Sequence, residues 1–179
     1  DFDVADADAN TERWDVGYTS GNEGGSADIN TTVAGKLMVK VDPDATPTAA
    51  EYSVRTAQPN TAKYAAWVAD ATATFGSDGA SQKSVGLQVS TGAAFDANNR
   101  VYIQRQKGTG VDRITTGAIF NGVQQGEVSF NTADLTVAFK IERWDNVWRC
   151  YYSLAQYPDY GWVLLAQYED ASEFITARI

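Results

Sequence analysis

The residues near the start of the chain that could do chemistry are carboxylates, with Asp1, Asp3, Asp6 and Asp8 all preceding Trp14. Calcium takes several hard oxygen ligands from carboxylates, amides and carbonyls, which makes these four a candidate metal set. Asp6, Asp8 and Asn10 have the spacing that opens an EF-hand loop. Thr11, however, stands where the sharp turn wants glycine, and Gly17 where the bidentate glutamate is required. A solvated acidic arm accounts for the same residues without a metal.

Catalytic groups are scarcer. The sequence contains no histidine, which removes Ser-His-Asp and Cys-His chemistry, most zinc sites and imidazole proton shuttling. The lone Cys150 cannot form an intrachain disulfide. It sits between Trp148 and Tyr152 on what alternation makes an inward strand face, where an inert thiol is expected. Glu142 and Asp145 are three apart across a strand end, a spacing that alternation does not align as a catalytic pair, and a solvated turn explains them. The expectation is a protein that is not an enzyme.

Binding asks for less. Trp144, Tyr157, Tyr160 and Trp162 lie at or beside turns, with Asp145, Asn146 and Asp159 close in sequence. Aromatic faces stack on the C–H surfaces of sugars while planar polar groups supply hydrogen bonds, so these seven residues form a candidate glycan site. The same aromatics could instead cap the ends of a core. Trp14, Trp67 and Trp148 read as core.

The elements that must position these groups are strands. Leu135, Val137, Phe139 and Ile141 alternate with Thr136, Ala138, Lys140 and Glu142, the pattern of a half-buried strand. Trp144-Asp145-Asn146 turns the chain, Val147 to Ser153 returns antiparallel, and Pro158-Asp159-Tyr160-Gly161 leads into Trp162-Val163-Leu164-Leu165. Upstream, the same period marks Val33 to Val41, Glu51 to Gln58, Val85 to Val89 and the pair Val101 and Ile103. Ala62 to Phe75 is alanine-rich enough for a helix, but alternation and its threonine-rich second half favour a strand. Ile114 to Phe120 and Gly126 to Phe130 flank Asn121-Gly122, a strong turn signal, with the second strand starting too late for a two-residue hairpin. The first thirty residues read mostly as loop. About a dozen strands without a helix exceed an immunoglobulin-type sandwich and fit a larger antiparallel one.

The meander from Ala133 to Gln167 resembles the concanavalin A-like lectin/glucanase superfamily, nearest to its laminin-G-like bacterial and viral modules. The resemblance rests on Ile-Glu-Arg, Tyr-Tyr-Ser and Gly-Trp-Val-Leu-Leu in series. It is joined by Asp1-Phe2-Asp3 with Arg13-Trp14-Asp15-Val16, by Gly35 to Val41, and by Asn98-Asn99-Arg100-Val101-Tyr102-Ile103. It implies an all-β fold, a two-sheet antiparallel β-sandwich of jelly-roll type, with calcium admitted but not required. The Glu-x-Asp-x-Glu strand of the superfamily's β-glucanases is absent, and the missing histidine argues against its alginate-lyase branch. After the strand expected over Glu173 to Ile179 the family has one more, so the resemblance implies either a trimmed chain or an open sheet edge that invites strand addition and oligomeric assembly.

A length of 179 residues suits one domain, expected over 1–179, able to bury about 70% of the surface its unfolded chain exposes. Fourteen basic against twenty-three acidic residues leave a charge of −9, which opposes nucleic acid and anionic lipid. Arg100, Arg105, Lys107 and Arg113 are the sole loose basic grouping, and no apolar run is long enough to span a membrane. The chain starts at Asp1 without a signal-like segment, which suits a processed form or a piece of a longer polypeptide. The expected function is a non-catalytic recognition module, glycan-binding or adhesive, of an extracellular, virion or cell-surface protein. The alternative is a structural sandwich in a larger assembly with protein partners.

Overall fold

The computed structural model describes residues 14–20, 25–29, 37–41, 51–56, 67–74, 83–90, 98–108, 110–154 and 161–170. Every regular element among them is a strand: β1 (Trp14–Ser20), β2 (Gly25–Ile29), β3 (Leu37–Val41), β4 (Glu51–Thr56), β5 (Trp67–Thr74), β6 (Lys83–Ser90), β7 (Arg100–Gly108), β8 (Val111–Phe120), β9 (Val123–Asn131), β10 (Thr136–Trp144), β11 (Val147–Leu154) and β12 (Val163–Glu169). Two of them, β1 and β2, run within the opening segment whose composition reads mostly as loop. The alanine-rich segment is a strand over Trp67–Thr74, and the rest of Ala62 to Phe75 lies outside the described residues.

The chain divides into two compact units. In the first, β1 pairs antiparallel with β4 and β2 with β3. The second holds two four-stranded antiparallel sheets, ordered β6-β7-β8-β9 and β12-β11-β10-β5. Within this unit β10 packs across β6 and β7, β11 across β7, and β12 across β8 and β9, a sandwich-like arrangement.

Period two decides which side chains meet between the sheets. Val101, Ile103 and Arg105 of β7 face inward beside Ala118, Thr116 and Ile114 of β8. From the other sheet Val137, Phe139 and Ile141 of β10 face inward beside Leu154, Tyr152 and Cys150 of β11. Each fully buried aliphatic or aromatic side chain here contributes roughly 1.5–3 kcal/mol. Along the β5 backbone, Ala69, Ala71 and Ala73 stand in register with Ile141, Phe139 and Val137. Trp148 is fully buried, and Trp67 stands in register with inward-facing Arg143.

The turns follow from local chemistry. Asn121 and Gly122 both take positive φ, 51° and 77°, and Phe120 pairs with Val123, so β8 and β9 are joined by a two-residue hairpin of type I′. The second strand thus begins earlier than its apolar residues suggest. β9 is exposed along its whole length, so Gln124 and Gln125 carry no burial signal, and a register shift between Gly117 and Ile119 displaces the alternation. The hairpin is tied back upstream, with Asn121 N–H donating to Asn99 Oδ1 at 2.8 Å and Gly122 N–H to the Asn98 carbonyl at 2.8 Å.

Arg105 closes one end of the core. It is 1% exposed, yet its five donors are all accepted: by the carbonyls of Asp134 (3.0 Å), Arg113 (3.2 Å) and Thr132 (2.7 Å), by the Gln106 carbonyl, and by the Asp112 carboxylate. A buried guanidinium is tolerable only when so satisfied, and here it fixes the segment between β9 and β10 where the chain crosses sheets.

Candidate functional site

The candidate glycan residues that the structure describes lie on the outer face of the sheet formed by β10, β11 and β12. Three cross-strand rows build that face. Lys140, Tyr151 and Leu164 form the first, Glu142, Arg149 and Gln167 the second, and Trp144, Val147 and Glu169 the third.

In the first row the Lys140 ammonium lies 4.3 Å from the Tyr151 ring centroid and 5.0 Å from that of Trp162, and pairs with Glu142 at 2.8 Å. Cation–π attraction to both rings fixes Trp162, which stands just before β12, against the sheet. Trp162 nevertheless stays 41% exposed and Leu164 48%. The Glu142 carboxyl is held below the usual carboxylate range, first by its hydrogen bond to Lys140, and also by Tyr151 and the charge of Arg149. Burial, and then Glu142, push the Tyr151 hydroxyl up. A carboxyl so held is ionised at neutral pH and is a poor general acid. In the second row Arg149 Nε donates to Gln167 Oε1 at 3.0 Å, so a carboxylate, a guanidinium and a carboxamide cross the middle of the face as planar groups.

The third row ends in a rigid tip. Trp144 pairs with Val147 across a two-residue turn in which Asp145 takes φ of 56°, a left-handed conformation that aspartate tolerates. Arg143, buried behind the tip with its guanidinium over the Trp148 ring at 4.9 Å, donates from Nε to the Asp145 carbonyl at 2.9 Å. Asp170 N–H donates to the Asn146 carbonyl at 2.8 Å, and the Asn146 amide to Glu169 at 3.3 Å. On this support Trp144 is 67% exposed.

Trp144, Asp145 and Asn146 are therefore brought together at one end of the face, and Trp162 sits at the other. Tyr157, Asp159 and Tyr160 lie outside the described residues, as do Asp1, Asp3, Asp6 and Asp8 of the candidate calcium set. Among the described residues no group of three or more metal-ligating side chains gathers, and no helix is long and apolar enough to cross a membrane. Residue type and spacing alone do not single out Lys140, Tyr151, Arg149 and Gln167. Alternation marks Lys140 as outward, but only the cross-strand register puts it between two aromatic rings.

Two members of the loose basic grouping are engaged within the fold. Arg105 is the buried closure, and Arg113 donates from Nε to Gln106 at 2.9 Å and pairs with Glu127 at 3.7 Å. Cys150 is fully buried, and desolvation pushes its thiol up to about 12 despite a hydrogen bond with Thr116, so it is inert at neutral pH. Comparison of the chain with protein-family models, with curated proteins and with solved structures finds no match in any of the three.

Proposed function

We propose that the chain is a non-catalytic recognition module that binds glycan on the outer face of β10–β12, within a concanavalin A-like jelly-roll fold. The carrying observation is Trp162, an exposed indole fixed by Lys140 beside Tyr151. A ring pre-positioned in this way offers a sugar a stacking surface at little ordering cost, and the Glu142–Arg149–Gln167 row supplies planar hydrogen-bonding groups next to it. The lowered pKa keeps the Glu142 carboxylate ionised, a hydrogen-bond acceptor for sugar hydroxyls and not a general acid. An extracellular or virion-surface setting and optional calcium belong to this reading.

The test is titration of a neutral oligosaccharide panel monitored by tryptophan fluorescence and calorimetry, with the Trp162→Ala variant beside the parent. Binding by the parent that falls at least about tenfold in the variant supports the reading, since one lost stacking contact of ~1.4 kcal/mol corresponds to that factor. Unchanged binding in Trp162→Ala removes the site.

A second reading, a structural sandwich bound to protein partners, is favoured by one observation. Val128 and Phe130 sit on the inward row of edge strand β9 yet remain 41% and 40% exposed, with Phe130 stacked on Tyr152 at 5.1 Å.

A further inference from the structure

We infer that the glycan is a linear, uncharged oligosaccharide that runs obliquely across β10–β12 and stacks on two tryptophans, Trp162 at one end and Trp144 at the other. The inference rests on the recognition reading above and goes beyond it in ligand length, direction and charge.

Length follows from strand geometry. Trp162 sits beside Lys140, and Trp144 is four residues further along the same strand, on the same outward parity. At about 3.3 Å per residue this is ~13 Å along β10, to which the offset of Trp162 across β11 adds, so the span exceeds one pyranose ring. Both indoles are among the exposed large apolar side chains, and each is held by structure behind it: Trp162 by Lys140, and the Trp144 turn by Arg143, Asn146 and Asp170. Between them runs the row of Glu142, Arg149 and Gln167, whose planar groups point to the same solvent as the rings. A chain of sugars placed over the face meets a ring, then hydrogen-bonding groups, then a second ring.

Charge follows from the pairings. The Lys140 ammonium is engaged by Glu142 and two rings, its side chain only 15% exposed. Arg149 is bonded to Gln167 and lies near enough to Glu142 to help lower its pKa. Glu169, in the third row, offsets the remaining positive charge, and the chain as a whole carries −9. The face has no cationic surplus to draw a uronate or a sulfated sugar, and the protein's field repels them.

The experiment uses linear gluco-, manno-, xylo- and galacto-oligosaccharides from monosaccharide to hexasaccharide, with hexuronate oligomers as the charged arm, against the parent, Trp144→Ala and Trp162→Ala. The expected result is affinity for one neutral series that rises with length and then levels off. Trp144→Ala should lower affinity for the hexasaccharide about tenfold while leaving the shortest binding oligomer unchanged, and Trp162→Ala should lower both. If Trp162→Ala abolishes binding but Trp144→Ala has no effect at any length, the two-tryptophan span is overturned and the recognition reading survives. Tighter binding of hexuronates overturns the charge assignment alone. If no oligosaccharide of any series binds the parent, both fall.

Discussion

On the outer faces of both sheets, β6–β9 and β10–β12, the long polar side chains are tied to one another across strands, but on the second two indoles and a leucine are left to solvent beside them. On the first face Tyr102 lies over Gly117 to donate to Glu127 at 3.2 Å, Arg100 stacks on Tyr102 at 5.4 Å, and Arg113 reaches both Gln106 and Glu127. Burial, and then Glu127, raise the Tyr102 pKa, as expected of a hydroxyl held against a carboxylate. On the second face Trp144, Trp162 and Leu164 stand out into solvent as large apolar side chains. Paired polar groups without an exposed ring beside them give a sugar no stacking surface. A supported but uncovered ring costs little to desolvate and is ordered before the ligand arrives. The first face therefore offers no exposed ring among its described residues, and the second is the one on which the proposed glycan site is built.

The sharpest way to break this contrast is through Arg105, which belongs to the β6–β9 sheet and serves only the fold. Arg105→Met should cost ~3–5 kcal/mol, because the Asp112 carboxylate and the carbonyls of Gln106, Arg113, Thr132 and Asp134 lose their donor together. Urea denaturation reads the loss directly. Arg105→Lys, which keeps the charge but not the fork, should recover only a part. A cost under ~1 kcal/mol for the methionine variant would show that the segment between β9 and β10 is held by something else.

Two glycines on the same sheet refine the picture. A Cβ at Gly86 would run into the backbone of Ile103 and Gln104, which cannot yield without moving the strand. The atoms nearest a Cβ at Gly117 belong to the phenol end of Tyr102, at 2.5 Å from Oη and 2.7 Å from Cζ, which can rotate aside. Gly86→Ala should therefore cost ~1–3 kcal/mol, and Gly117→Ala less, roughly the net value of one lost hydrogen bond of ~1 kcal/mol. Thermal denaturation of the two variants side by side orders them, and a reversed order would mean that the Tyr102–Glu127 tie is firmer than the strand approach at Gly86.

What can be read from the sequence tracks where burial is one-sided. Val137, Phe139 and Ile141 alternate with polar neighbours because one face of β10 is covered, and Trp148 and Cys150 follow by the same parity. β9 escapes because it is exposed along its length and its register shifts, so no period survives to mark where it begins. Arg105 looks like surface charge in a basic grouping, since its acceptors at Asp112, Thr132 and Asp134 are brought to it only by the fold. The candidate site is legible in its residue types but not in its layout. Trp144 and Trp162 are neighbours in the meander by sequence, yet β11 runs between them and carries the second to the opposite end of the face.

The smallest expected effect lies in the pair that props Trp162. Glu142→Gln should change stability by under ~1 kcal/mol, because the Lys140–Glu142 pair is partly solvated. Its pH signature is more telling than its size. The folded pKa of Glu142 lies below its unfolded value, so the pair's contribution is fully present above the ordinary carboxylate range and fades as pH falls through the folded value. Over the acid limb of a denaturation series the parent should therefore lose slightly more stability than the Glu142→Gln variant loses. The same substitution frees the Lys140 ammonium while leaving both rings in place, so on this face hexuronate binding should improve relative to neutral oligosaccharide. A loss of several kcal/mol would instead mean that the β10–β12 face is as interlocked as its counterpart, and the division of labour between the two faces would not hold.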